Sequence, residues 1–163
     1  MDFNIWVARN DRSRGVDGKS FSELFDLKDE LPLSFDRDTI ETIGYIDVLW
    51  LQGNSVRAAF EIESTTSVYS GLLRMSDLLA KQPNLRIPLY LVAPEDRREK
   101  VLREVSRPTF NNLNTPLQEV CRYISFESLQ RRLEGMESAG VGLHHLNPSF
   151  LREVSESCKP SES

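Results

Sequence analysis

A three-layer α/β architecture with a mixed β-sheet is predicted by three observations. Residues 45–51 and 56–63 are rich in β-branched and aromatic residues and flank Gln52-Gly53-Asn54-Ser55, a hairpin pattern. Residues 87–93 form an almost unbroken apolar run, the signature of a buried central strand. Segments with helical apolar spacing alternate with these strands. The chain has 163 residues, 39% of them hydrophobic, with a formal net charge of −5. That length suits one domain with its own core, expected over residues 1–150, followed by a disordered tail over 151–163.

In order along the chain, residues 3–8 (Phe-Asn-Ile-Trp-Val-Ala) predict a short strand and 9–19 a polar, Gly-containing loop. Residues 21–30 have helical spacing with Ser20 as N-cap, ended by Leu31-Pro32-Leu33. Residues 36–43 predict a short helix ended by Gly44. After the hairpin, residues 72–79 are helical, with the polar run 64–67 as the capping segment. Pro94-Glu95-Asp96 opens another helix that ends near Pro108, since proline and acids suit a first turn. A strand over 120–126 and a helix over 127–137 follow, and the signals weaken from Ser138 onward. No internal repeat is visible.

Composition excludes several classes. No apolar run approaches the ~18 residues of a membrane span. The N-terminal residues lack the basic start and apolar core of a signal peptide. Two cysteines far apart, Cys121 and Cys158, give no disulfide framework, so a cytoplasmic protein is expected. The acidic balance argues against a plain nucleic-acid coating protein, although carboxylates also serve nucleic-acid enzymes as metal ligands. The charge is uneven. Residues 22–47 hold eight acids and two bases, leaving +1 for the rest. Arginines outnumber lysines 15 to five, which suits bidentate phosphate contacts. The cluster Arg97, Arg98, Lys100, Arg103 and Arg107 is interleaved with acids and reads as a solvated helix face.

The hairpin register carries the chemistry. A two-residue turn at Gly53-Asn54 mixes charged and apolar residues on both faces. A three-residue loop, Gly53-Asn54-Ser55, pairs Ile46 with Ile62, Val48 with Phe60 and Trp50 with Ala58, which makes one face wholly apolar. A one-residue slip inverts every side chain, so the cleaner pattern is expected. Asp47 then faces Glu61, and Glu63 points the same way two residues along. Three carboxylates crowded together require a proton or a cation to compensate them. Hard oxygen donors suit Mg²⁺ or Mn²⁺. The competing reading is an exposed edge hairpin whose acids are simply solvated.

An acid on one hairpin strand, then acid-x-acid on the next, then a helix and a central strand, resembles the PD-(D/E)XK nuclease superfamily. The residues that carry the resemblance are Ile46-Asp47 and Glu61-Ile62-Glu63, with 59–78 similar to the restriction endonuclease-like domain of bacterial restriction-type proteins. It covers residues 36 to 126, an αβββαβ core. Two positions depart: Ile46 stands for the proline, and Glu63 for the lysine. Some type II restriction enzymes also carry Glu at the second. The resemblance implies a metal-dependent endonuclease acting on DNA, with Asp47, Glu61 and the Ile62 carbonyl holding the metal. Glu63 would hold the attacking water or a second metal, and Glu41 on the preceding helix would add a carboxylate.

Other residues carry two readings each. Arg74 either reaches a phosphate or the edge of the site, or pairs with Asp77 on the helix surface. Ser64, Thr65 and Thr66 either donate to phosphate at a helix N-terminus or simply cap it. Arg9, Asn10, Arg12 and Arg14 either contact DNA or lie in a solvated loop. His144 and His145 lack partners at zinc-ligand spacing. The functions open at this point are a restriction or defence endonuclease, an inactive nuclease-fold domain that binds DNA or protein, and a repair or junction-resolving nuclease. Double-strand cleavage would favour a homodimer. The chain has no separate target-recognition domain, which fits a part of a larger restriction or defence protein.

Overall fold

A computed structural model describes residues 3–31, 34–63, 68–142 and 146–160. The strands are β1 (Asn4–Val7), β2 (Gly15–Val16), β3 (Lys19–Ser20), β4 (Val48–Gln52), β5 (Ser55–Ile62), β6 (Leu89–Ala93), β7 (Cys121–Ser125) and β8 (Glu156–Ser157). The helices are α1 (Phe21–Leu24), α2 (Arg37–Ile43), α3 (Val68–Lys81), α4 (Arg98–Val105), α5 (Pro108–Asn111), α6 (Leu117–Val120), α7 (Phe126–Ser138) and α8 (Pro148–Val154). Six strands form one mixed sheet in the order β1-β4-β5-β6-β7-β8. The pairs β1/β4, β4/β5 and β7/β8 are antiparallel, whereas β5/β6 and β6/β7 are parallel. The predicted three-layer α/β class with a mixed sheet is the observed one.

Alternation along the strands builds two cores. Leu89, Leu91 and Ala93 of β6 pack on one side with Leu49, Leu51, Ala59 and the apolar face of α3. Tyr90 and Val92 pack on the other with Trp50, Phe60, Ile124 and the α8 residues Phe150, Leu151 and Val154. Both faces are covered, which is why the β6 segment is apolar throughout. Phe3, Trp50, Phe60 and Tyr90 form a row of ring contacts across the second face, with centroids 5.1–5.5 Å apart. Among the described residues no helix is long and apolar enough to cross a membrane.

The hairpin uses both candidate registers. Near the site the pairs are Val48 with Phe60, Leu49 with Ala59 and Trp50 with Ala58, as the apolar-face argument predicts. Between Trp50 and Leu51 the register shifts, and Leu51 pairs with Val56 and Gln52 with Ser55. Arg57 is therefore the extra residue of a bulge, exposed and bonded through Nε to Gln52 Oε1 at 3.0 Å. The expected three-residue loop is replaced by a two-residue turn, with Gly53 at φ +55° in its first central position. Ile46 also departs from the expected face. It precedes β4 and packs in the first core, and Ile62 at the end of β5 is 44% exposed.

Two further expectations change. The helix expected over 21–30 is the single turn α1, held by a capping box in which the Ser20 backbone N–H donates to Glu23 Oε2 at 2.7 Å. Leu27 instead bridges to Ile5, covering the outer edge of β1. The tail expected from residue 151 runs through α8 and β8. Asn147 caps α8, its Oδ1 accepting from the Phe150 N–H at 3.0 Å, and β8 pairs with the open edge of β7. The Cys158 N–H donates to the Cys121 carbonyl at 3.1 Å, and both cysteines are buried. The signal was weak because α8 is two turns long and β8 two residues.

Burying Phe150, Leu151 and Val154 is worth roughly 5–9 kcal/mol together, as much as a domain's whole stability. A chain ending at residue 146 is therefore expected to lose cooperative thermal unfolding, and one ending at 160 to melt as the full chain does. Equal melting curves for all three would show that α8 and β8 contribute nothing.

Candidate acidic site

The site lies where β5 ends. Gly44 caps α2 with its N–H on the Ile40 carbonyl at 2.9 Å, and the chain then turns into β4. Asp47 is the last residue before that strand. Its carbonyl accepts from the Ala8 N–H at 3.0 Å, which ties it to the end of β1. Its Oδ2 accepts from the Ile62 N–H at 2.7 Å. The Asp47 side chain thus takes over the ladder where strand pairing stops, binding the backbone between Glu61 and Glu63.

Glu61 is fully buried, with 0% exposure, and Glu63 has 1%. Strand alternation turns Glu61 toward α3, whose Gly71 lies directly over both acids. A Cβ at Gly71 would lie 2.8 Å from Glu63 Oε1 and 3.1 Å and 3.2 Å from Glu61 Cβ and Cγ. Glycine costs about 1 kcal/mol inside a helix, and here it permits the approach of α3 to the acids. The Glu63 N–H donates to the Val92 carbonyl at 2.8 Å, which fixes the end of β5 against β6.

Arg74, one turn beyond Gly71, supplies the counter-charge. Its Nε donates to Glu61 Oε1 at 2.8 Å and its Nη2 to Glu61 Oε2, a bidentate pair. The same Nη2 lies 3.7 Å from Asp47 Oδ1. One guanidinium therefore faces two carboxylates. Burial pushes the Glu61 carboxyl up to about 8 and outweighs the opposing Arg74 hydrogen bond, while the Asp47 charge pushes the same way as burial.

Of the residues expected at the site, Asp47, Glu61, Glu63 and Arg74 come together, with Ile62 between the two glutamates. The Arg74 guanidinium turns inward to Glu61, not along the helix surface to Asp77. Glu41 does not join the acids. It is exposed on α2 and paired with Arg37 at 3.1 Å. Arg12 is committed to the fold: it stacks 4.5 Å over the Trp6 ring and donates to the Val7 and Lys28 carbonyls and to Asp29. Arg14 pairs with Asp11 at 3.1 Å, and Arg9 and Asn10 are exposed in the turn that follows Ala8. Ser64, Thr65, Thr66, His144 and His145 lie outside the described residues. Sequence reading missed Gly71, which stands just ahead of the helical span expected over residues 72–79 although α3 begins at Val68.

Among the described residues no group of three His, Cys, Asp or Glu side chains is arranged to hold a metal ion. Asp47 and Glu61 nevertheless share one cation, the guanidinium, and their hard oxygens are the donors a divalent ion takes.

The family model of the type II restriction enzyme NmeDI C-terminal domain matches residues 1–158. A type II restriction enzyme NmeDI from Neisseria meningitidis serogroup C is 35% identical over 124 residues, which cover 71% of this chain and 34% of that protein. The chain thus spans about a third of the length of this relative. No solved structure matches the chain significantly.

Two outcomes follow from the burial of the acids. A raised folded-state pKa keeps a proton on Glu61 where the unfolded chain has lost it. Stability therefore falls as pH rises from about 4.5 to about 8. Urea unfolding at stepped pH is expected to show this decline, and Glu61→Gln, which cannot ionise, to flatten it. An unchanged slope in that variant would place the titration elsewhere. Gly71→Ala is expected to cost about 1–3 kcal/mol through overpacking against Glu61 and Glu63, read from the same curves.

Proposed function

The chain belongs to the family of type II restriction enzyme NmeDI C-terminal domains, and we propose that it is the metal-dependent DNA endonuclease unit of a restriction protein. In this reading Asp47, Glu61 and Glu63 form a PD-(D/E)XK site of the E-x-E variety. The observation that carries it is the pair of carboxylates, Asp47 and Glu61, drawn to a single cation at the end of a central strand. Asp47, Glu61 and the Ile62 carbonyl would hold Mg²⁺ or Mn²⁺. Such an ion polarises a phosphodiester and lowers the pKa of a bound water.

The protein's own groups supply position and charge. The Asp47–Ile62 hydrogen bond holds the backbone between the two glutamates in a set place relative to the aspartate. Glu63 stands where a lysine is usual and serves as an acceptor for the attacking water. The exposed Arg9 and Asn10 begin two residues past Val7, on the same sheet end as Asp47, and are suited to phosphate or base contacts. DNA is the expected partner, a homodimer the expected form for cutting both strands, and a larger restriction protein the expected context, given the coverage of the relative.

A second reading is a nuclease-fold domain that no longer cleaves. Two observations favour it: Glu63 in the lysine position, and the commitment of both Glu61 oxygens to Arg74. The same fold supports unrelated functions, so only the site decides.

Incubation of plasmid DNA with the protein separates the two. Cleavage is expected with Mg²⁺ or Mn²⁺, none with EDTA, and a loss of ~10²-fold or more in Asp47→Asn, as for removal of a major electrostatic contributor. Asparagine keeps an acceptor for the Ile62 N–H, so the variant tests charge and not folding. Cleavage equal to wild type would remove Asp47 from the chemistry. Absence of cleavage together with absence of Mn²⁺ binding by calorimetry would favour the second reading.

A further inference from the structure

We propose that Arg74 is a built-in counter-cation that a divalent metal must displace, so that the metal-free and metal-loaded sites differ by an exchange of one cation for another. This rests on the metal reading of the acidic site and concerns what holds that site together before metal arrives.

Geometry carries the inference. Glu61 has no exposure to water, and both of its oxygens accept from the Arg74 guanidinium. The same guanidinium lies 3.7 Å from Asp47 Oδ1, while Asp47 Oδ2 is taken by the Ile62 N–H. Three carboxylate oxygens from two residues thus face one positive group. A divalent ion bound between Asp47 and Glu61 draws on those oxygens. It also brings two positive charges to within a few ångströms of a third, and at such distances like charges repel strongly in a site of low effective dielectric. The guanidinium cannot shed its charge, because arginine stays protonated in proteins. It can only move.

The structure provides for that movement. The Arg74 side chain is 29% exposed, while Glu61 is sealed. The guanidinium ends a flexible stem, and the glycine that admits α3 is Gly71, one turn away. A rotamer change at Arg74 opens the site without moving the helix.

Calorimetric titration of the 163-residue chain with Mn²⁺ tests the exchange, with thermal unfolding of the same samples as a second readout. Arg74→Gln removes the charge and keeps a polar side chain; Arg74→Lys keeps the charge. The glutamine variant is expected to bind Mn²⁺ about tenfold or more tightly than wild type, and the lysine variant to remain within a fewfold of it. Without metal the glutamine variant is expected to melt lower than wild type, and Mn²⁺ to raise its midpoint by more. Binding to Arg74→Gln alone, with none to wild type, overturns the exchange, since the guanidinium then blocks the ion and is not displaced by it. Equal or weaker binding by Arg74→Gln, with Asp47-dependent binding in wild type, overturns the exchange and leaves the metal reading standing. No binding by any variant overturns both. A glutamine variant that stays unfolded at every Mn²⁺ concentration also overturns it, since the ion then cannot take Arg74's place.

Discussion

A carboxyl group sealed from water has to find its compensation inside the protein, and around Glu61 that requirement organises the molecule. Arg74 can reach Glu61 only if α3 lies close over the end of β5, and α3 can lie there only because residue 71 has no side chain. The apolar face of α3 then closes the first core through Val68, Leu72, Met75 and Leu78. Asp47 completes the arrangement from the other strand, where its carboxylate replaces the ladder bond that β4 no longer supplies. The energetic balance is narrow. Breaking a buried pair by removing one partner is costly, typically ~3–5 kcal/mol, because it leaves a stranded charge. A protein gains little stability from such a pair compared with an apolar substitute of the same volume.

Membership in a restriction-enzyme domain family gives the acidic site a context. The chain corresponds to about a third of the length of its relative. What it holds is a rigid sheet, two covered faces and one acidic end. The uneven charge of the chain has a different origin: of the eight acids in residues 22–47 only Asp47 reaches the site, and the other seven are exposed.

Much of this was legible in the amino-acid order, and the exceptions have physical causes. The register beside the site followed from asking which pairing leaves one face apolar, because burial on both faces penalises a slip at Val48, Trp50, Ala58 and Phe60. The loop at residues 53–55 did not follow, since hydrophobic pattern has little to say about an exposed hairpin tip. The helices α2, α3, α4 and α7 announced themselves by period and caps. Residues 21–30 showed the same period and yet made one turn, because Leu27 found a strand edge to cover. The end of the chain was read as a tail because short elements have no period to detect; their order comes from contact with β7 and the second core. At the site, the convergence of Asp47 and Glu61 was readable from register. The inward turn of Arg74 was not, because a side chain's choice between a surface partner and a buried one depends on what lies beneath the helix.

The bulge at Arg57 separates two parts of the hairpin that would otherwise share one fate. Below it, every residue's face is locked to the acids and to both cores. Above it, the turn obeys its own geometry, and the mismatch of one residue is absorbed by a side chain in solvent. The tip is therefore mechanically insulated from the carboxylates. Lengthening or resequencing residues 52–55 is a local event, because the core resumes at Val56, whereas one residue added between Ala58 and Glu61 would invert the site. A grafted peptide or reporter placed at the tip would accordingly leave the acidic end as it is.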